Sequence, residues 1–104
     1  MEVLELTTEK DFIDSDRKAM IFIHSPFCGT CRMARKMLDT IESLWQQHLF
    51  FELNASLHPG FMQENQVESV PCLLVVSKGR VKDKIYAFHS VPYMQRIVSK
   101  HVNS

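Results

Sequence analysis

The sequence predicts an α/β fold in which strands and helices alternate along the chain. A nearly apolar run at 19–24 and another at 72–76 are typical of strands buried on both faces of a sheet. Between them, from Cys28 to about Gln47, apolar residues recur at spacings of three and four, the period of an amphipathic helix. The 104 residues are enough for one hydrophobic core, so residues 1–104 are expected to form a single domain.

The predicted order of elements is β-α-β-α-β-α-β-β-α. The first half contains a strand at Val3–Leu6, a short helix at 7–13 capped by Thr7 or Thr8, the strand Ala19–His24 and the long helix from Cys28. The second half contains a strand at Leu49–Leu53, a helix from His58 to about Gln66, strands at Cys72–Val76 and Val81–Phe88, and a helix along Val91–Val102. Gly79, in the turn of the last hairpin, is expected to have a positive φ.

The composition excludes several classes of protein. Lys plus Arg number 12 and Asp plus Glu also number 12, so no net positive field favours nucleic acid. The longest apolar runs have five residues, whereas a membrane span needs about 20, so no membrane association is expected. The N-terminus lacks the basic and apolar regions of a secretory signal, and three cysteines do not make a secreted disulfide scaffold. A cytoplasmic protein is therefore expected.

Cys28 and Cys31 form the motif that indicates chemistry, where a buried strand passes into the long helix. Unpaired N–H groups and the helix dipole favour a thiolate there, and such sites can have pKa values about 1 to 5 units below the ~8.5 of a free thiol. Cys28 is therefore the predicted nucleophile, and Cys31, one turn further on, is the predicted resolving thiol. The alternatives are half of a zinc site or two buried cysteines, but no second ligand pair completes a four-ligand set. Neither a metal nor a bound cofactor is predicted.

A second motif is Pro71, which stands directly before a buried strand and suits a bend that faces the active loop. With this motif the whole chain resembles the thioredoxin family, on the segments Cys28-Gly29-Thr30-Cys31, Asn54, Pro59-Gly60, Val70-Pro71-Cys72 and Lys78-Gly79. The resemblance implies a thioredoxin-like fold with a five-stranded mixed sheet flanked by four helices, a cis peptide bond before Pro71, and dithiol–disulfide exchange. It also implies that Val70 offers backbone groups to an extended substrate. The residues expected to contact substrate are Phe27, Gly29, Thr30, Val70 and Pro71.

The chain departs from the family pattern around the cysteine pair. Phe27 and Thr30 stand where typical thioredoxins have Trp and Pro. Phe22 replaces a buried Asp that handles the proton of the resolving cysteine, and Glu52 replaces a Lys on the neighbouring strand. Strand alternation places Glu52 on the same face as Phe50. We therefore expect Glu52 to be a catalytic base with a pKa raised toward neutrality by burial, the alternative being a carboxylate that reaches solvent.

Two further side chains leave alternatives open. Cys72 directly follows the proline and is either a buried, inert cysteine or a third redox thiol. His24 lies four residues before Cys28, and it is either a packed or hydrogen-bonded side chain or one that tunes the pair or binds a metal.

The predicted function is that of a small bacterial-type, cytoplasmic thioredoxin-like oxidoreductase. Cys28 attacks a protein disulfide and Cys31 releases the reduced product. The expected partners are disulfide-containing protein substrates and an electron donor, either a thioredoxin reductase or a low-molecular-weight thiol, and the expected state is a monomer. One alternative is reduction of mixed disulfides between proteins and small thiols, which needs Cys28 but not Cys31. Another, of a different class, is a non-catalytic binding module or a metal or persulfide carrier.

Overall fold

The computed structural model describes residues 1–4 and 18–103 and contains a five-stranded mixed sheet. The strands in chain order are β1 (Glu2–Val3), β2 (Ala19–His24), β3 (Phe50–Asn54), β4 (Cys72–Ser77) and β5 (Arg80–Ile85). Their spatial order is β1-β3-β2-β4-β5, with β2 parallel to β3 and antiparallel to β4. The predicted α/β class and mixed sheet are confirmed.

Three α-helices lie within the described residues, where four were expected. They are α1 (Gly29–Trp45), α2 (Pro59–Glu64) and α3 (Val91–Val102), with a 3-10 turn at Ala55–Leu57 that was not predicted. The helix predicted at 7–13 lies outside the described residues. The last strand is shorter than predicted, since β5 ends at Ile85 rather than Phe88, whereas Gly79 has the predicted positive φ of 72°. None of the described helices is long and apolar enough to span a membrane.

The sheet carries an apolar layer on each face, which explains the unbroken apolar runs of β2 and β4. On one face α1 and α3 cover a cluster of strand residues, namely Met20, Phe22, Phe50, Leu73 and Val75. On the other face Phe61 of α2 packs with Ile21, Ile23, Leu53, Cys72 and Leu74. The buried residues of α1 are Cys31, Ala34, Leu38 and Ile41, the predicted helical period.

Two loops meet at one edge of the sheet. β2 ends at His24, and four residues later Cys28 caps α1. Because β4 runs antiparallel to β2, its first residue Cys72 pairs with Ile23, so the preceding loop lies at that same edge. The peptide bond before Pro71, in that loop, is cis.

Candidate functional site

The cysteine pair lies at the N-terminus of α1. Cys28 and Cys31 form a disulfide, and their Cα atoms are 5.3 Å apart. Cys28 is the N-cap residue, and its sulfur accepts a hydrogen bond from the backbone N–H of Cys31 at 3.2 Å. Cys28 is half-buried, whereas Cys31 is only 5% exposed. An approaching substrate therefore reaches the sulfur of Cys28 first.

The residues beside Cys28 leave it open and supply one polar contact. The Thr30 hydroxyl lies 3.4 Å from the Cys28 sulfur and donates to it, because a disulfide sulfur carries no proton. Phe27 is 94% exposed. At Gly29, nothing lies within 4 Å of the position that a Cβ would occupy. The loop therefore presents an aromatic ring and uncovered backbone next to the reactive sulfur.

Serine hydroxyls connect the loop to the 3-10 turn that follows β3. The Ser25 hydroxyl accepts from the N–H of Phe27 at 3.4 Å, and it lies 3.4 Å from the hydroxyl of Ser56. Val70 is half-buried and packs against the clusters on both faces of the sheet. The predicted contact residues of both loops are thus gathered at one edge.

Glu52 contradicts one prediction. It lies beside Phe22 in register, on the face that carries α1, as strand alternation predicts. Its two carboxylate oxygens accept hydrogen bonds from the Arg35 guanidinium at 2.9 and 3.0 Å. These bonds outweigh burial and hold the pKa of Glu52 below its ordinary value. The expected raised pKa is therefore wrong, and the catalytic role of Glu52 stays a prediction without that support.

His24 is the third member of this polar network. Its Nε2 lies 3.2 Å from Glu52 Oε1, the oxygen that also accepts from Arg35, and its side chain is 17% exposed. Burial, followed by the charge of Arg35, lowers the pKa of His24 from 6.5, although Glu52 acts in the opposite direction. The imidazole is therefore neutral at pH 7.

An aromatic ring supports the network. The His24 ring stacks on Phe22 with 5.5 Å between centroids, and the Arg35 guanidinium carbon lies 5.4 Å from the centre of the Phe22 ring. Phe88 packs edge-on against the same ring at 6.1 Å. Arg35 was missed by sequence reasoning. The signal that could have found it is its spacing of four residues from Cys31, which places both on one side of α1.

Cys72 has the environment of an inert cysteine. It is fully buried and packs in the cluster on the face opposite to α1. Burial raises the pKa of its thiol to about 12, so almost no thiolate exists at neutral pH. Of the two interpretations of Cys72, these observations favour the inert one. Within residues 1–4 and 18–103, no three side chains of His, Cys, Asp or Glu form a group able to hold a metal ion.

Known proteins resemble this chain over nearly its whole length. The family model for thioredoxin matches residues 2–99. The chain is 35% identical over 96 residues to thioredoxin-like protein YusE of Bacillus subtilis, covering 92% of this chain and 90% of that protein. It is 22% identical over 102 residues to thioredoxin 1 of Nostoc sp., covering 97% and 95%.

Solved structures show the same fold. A thioredoxin from Malassezia sympodialis, Mala s 13, superposes with a TM-score of 0.82 at 16% identity, over 97% of this chain and 90% of that chain. The oxidised thioredoxin from Plasmodium falciparum superposes with a TM-score of 0.78 at 11% identity, over 96% of each chain.

Proposed function

We propose that this chain, which belongs to the thioredoxin family, reduces disulfide bonds of protein substrates with Cys28 as the attacking thiolate and Cys31 as the resolving thiol. The family and the cysteine pair at disulfide distance make the chain a thiol–disulfide oxidoreductase. One observation carries the assignment of roles: the accessible Cys28 sulfur is the one that accepts the N–H of Cys31 in the first turn of α1.

The proposed reaction has two exchange steps. In the reduced protein, the N–H of Cys31 and the Thr30 hydroxyl stabilise negative charge on the Cys28 sulfur. The Cys28 thiolate attacks one sulfur of the substrate disulfide, and the other sulfur leaves as a thiolate. Cys31 then attacks the Cys28 sulfur, which closes the intramolecular disulfide and releases the second substrate thiol. Two electrons thus pass from the dithiol to the substrate.

The proposed substrate is an extended segment that binds across the two loops. The backbone of Val70 would pair with it as an added strand, and Pro71 would lie beside its disulfide. Phe27, at 94% exposure, offers apolar contact area beside Cys28. The open space around Gly29 supports this arrangement, because a substrate backbone can approach the loop there.

The oxidised pair must be reduced again by a second thiol system. Thioredoxin-family proteins generally act on disulfide substrates with a reductase. For this chain we propose a thioredoxin reductase or a low-molecular-weight thiol as the donor, and a monomer that works in the cytoplasm. The unpaired, buried Cys72 supports a reducing compartment, where disulfides are rare.

Reduction of insulin, with dithiothreitol or with NADPH and a thioredoxin reductase as donor, tests the proposal. The parent should reduce insulin, Cys28→Ser should not, and Cys31→Ser should accumulate a mixed disulfide on Cys28 that mass spectrometry detects. Cys72→Ala is the matched control and should reduce insulin like the parent. Equal trapping by the Cys28 and Cys31 variants would contradict the assigned roles.

Other outcomes would favour the alternative functions. Full activity of Cys31→Ser on a glutathionylated protein would indicate a reductase of mixed disulfides. If the parent protein did not reduce insulin with dithiothreitol or with NADPH and a thioredoxin reductase, it would instead be a binding module or carrier.

A further inference from the structure

The network of His24, Glu52 and Arg35 begins one helical turn from the cysteine pair and has no part in the two exchange steps as described above. Arg35 belongs to α1 itself and follows Cys31 by four residues, one helical turn. The Phe22 ring, which contacts Arg35 and His24, is in the same buried cluster as Cys31. His24 ends β2 at the edge where the chain continues to the cysteine loop. His24 and Arg35 therefore each lie four residues from one cysteine of the pair, His24 before Cys28 and Arg35 after Cys31.

The second exchange step requires Cys31 to lose a proton. Cys31 is 5% exposed and belongs to an apolar cluster, and burial disfavours the charged form of a thiol. Even a thiol with the ordinary pKa of about 8.5 is only a few per cent ionised at pH 7. A neighbouring proton acceptor would therefore speed the step, and Phe22 occupies the position where the family resemblance implies a buried Asp.

Of the two titratable members of the network, His24 is the better acceptor. Glu52 accepts two hydrogen bonds from Arg35 and is held in its ionised form with a lowered pKa. An ionised carboxylate can only accept, so Nε2 of His24 must carry a hydrogen that it donates to Glu52. In the neutral ring the lone pair is then on Nδ1. Glu52 thus orients the imidazole and selects its tautomer.

We propose that His24 accepts, at Nδ1, the proton that Cys31 loses when it resolves the mixed disulfide, with Glu52 and Arg35 as positioning residues. This role rests on the proposed function. The S–H bond of Cys31 breaks and, through one intervening water, an N–H bond forms on His24, while the Cys31 sulfur bonds to the Cys28 sulfur. The substrate sulfur leaves with the electron pair of its S–S bond and takes the proton from the imidazolium or from water.

Stopped-flow reaction of the reduced protein with Ellman's reagent separates the two steps. Attack by Cys28 releases the first thionitrobenzoate, and resolution by Cys31 releases the second. In His24→Gln we expect a first phase close to that of the parent and a second phase slower by about 100-fold at pH 7, at the low end of general-base effects. His48→Gln, at an exposed position two residues before β3 begins, is the matched control and should change neither phase.

The pH dependence of the second phase distinguishes a base from a structural residue. The charged groups that face His24 are Glu52 from β3 and Arg35 from α1, with Asp39 acting on Arg35. As the pH rises, the parent rate should level off once His24 has lost its proton, and its lowered pKa places this at a lower pH than for an ordinary histidine. In His24→Gln the rate should instead keep rising toward about pH 8.5, where a thiol ionises by itself.

The outcomes separate the two proposals. A parent with no first phase would overturn the proposed function and the role of His24 with it. A normal first phase and an unchanged second phase in His24→Gln would overturn only the role of His24. If the second phase were slow in Glu52→Gln and unchanged in His24→Gln, the base would be Glu52. Nitrogen-15 NMR of the parent gives a test without variants: we expect the Nε2–H tautomer, and a neutral ring protonated on Nδ1 would refute the proposal.

Discussion

Replacing Arg35 with methionine should destabilise the protein through the loss of one ion pair. Methionine keeps an unbranched chain over the Phe22 ring but removes the guanidinium that binds both oxygens of Glu52. Hydrogen bonds to charged groups contribute about 1.5–3 kcal/mol each. Arg35 is 34% exposed and Glu52 17%, so solvent screening reduces the total, and we expect about 2 kcal/mol at pH 7. For a chain of this size that corresponds to a fall in Tm of about 10 °C.

The loss should shrink as the solution becomes acidic. Arg35 lowers the folded-state pKa of Glu52 below its unfolded value of about 4.3. The pair therefore stabilises the protein fully above that pH, and its contribution disappears as the pH falls through the lowered pKa. His24 acts in the same direction: its pKa is lowered in the folded state, so the parent loses stability as the pH falls through 6.5. In Arg35→Met this acid-induced loss of stability should be smaller, because the charge of Arg35 no longer lowers the pKa of His24.

Urea unfolding followed by circular dichroism between pH 7 and pH 3 measures this difference. Lys36→Met removes an exposed charge from the neighbouring position of α1 and should change the free energy of unfolding by less than about 0.5 kcal/mol. If Arg35→Met lost as much free energy at pH 3 as at pH 7, Arg35 would stabilise the fold by packing and not by its charge.

Two further predictions concern the thiols. We expect a potential less reducing than the about −270 mV of thioredoxin, because the Thr30 hydroxyl stabilises the Cys28 thiolate, and Thr30→Pro should lower it by about 30 mV, the equivalent of one such hydrogen bond. A glutathione titration that gave the parent a potential at or below −270 mV would refute this explanation. Cys72, with a pKa of about 12, should not react with iodoacetamide in the folded protein at pH 8 but should react fully in urea; rapid labelling of Cys72 in the native state would show that the thiol is accessible.

The parts of the fold that were predictable have a strong local pattern. β2 and β4 are apolar on both faces, and α1 repeats its buried residues at helical spacing, so each was located to within about two residues of its observed ends. β5 was harder, because its sequence Arg-Val-Lys-Asp-Lys-Ile is mostly polar and only Ile85 is buried. An edge strand with little buried surface carries a weak hydrophobic signal.

The cysteine pair was predictable for the same reason, because its motif and its helix start are adjacent in sequence. The contact between Arg35 and Glu52 was not, since the residues are 17 apart and belong to different elements. It depends on the rotation of α1 over the sheet and on the register that sets Phe22 beside Glu52. At Glu52, desolvation raises the pKa and the Arg35 guanidinium lowers it. The guanidinium has the larger effect and therefore decides the direction of the change.

Phe22 connects these observations. The resemblance to thioredoxins implies a buried acid at this position and a lysine at that of Glu52, so this chain has an aromatic ring and an acid in their places. Because the two positions are neighbours in register, an Asp at 22 would stand directly beside the Glu52 carboxylate, and like charges on adjacent strands repel. Instead, the Phe22 ring packs against the Arg35 guanidinium and the His24 imidazole. Both of these groups contact the Glu52 carboxylate. The absence of the family's acid at position 22 and the presence of Arg35 are therefore linked. The negative charge is on Glu52 of β3, its cationic partner is Arg35 of α1, and the proposed proton acceptor is His24 at the end of β2.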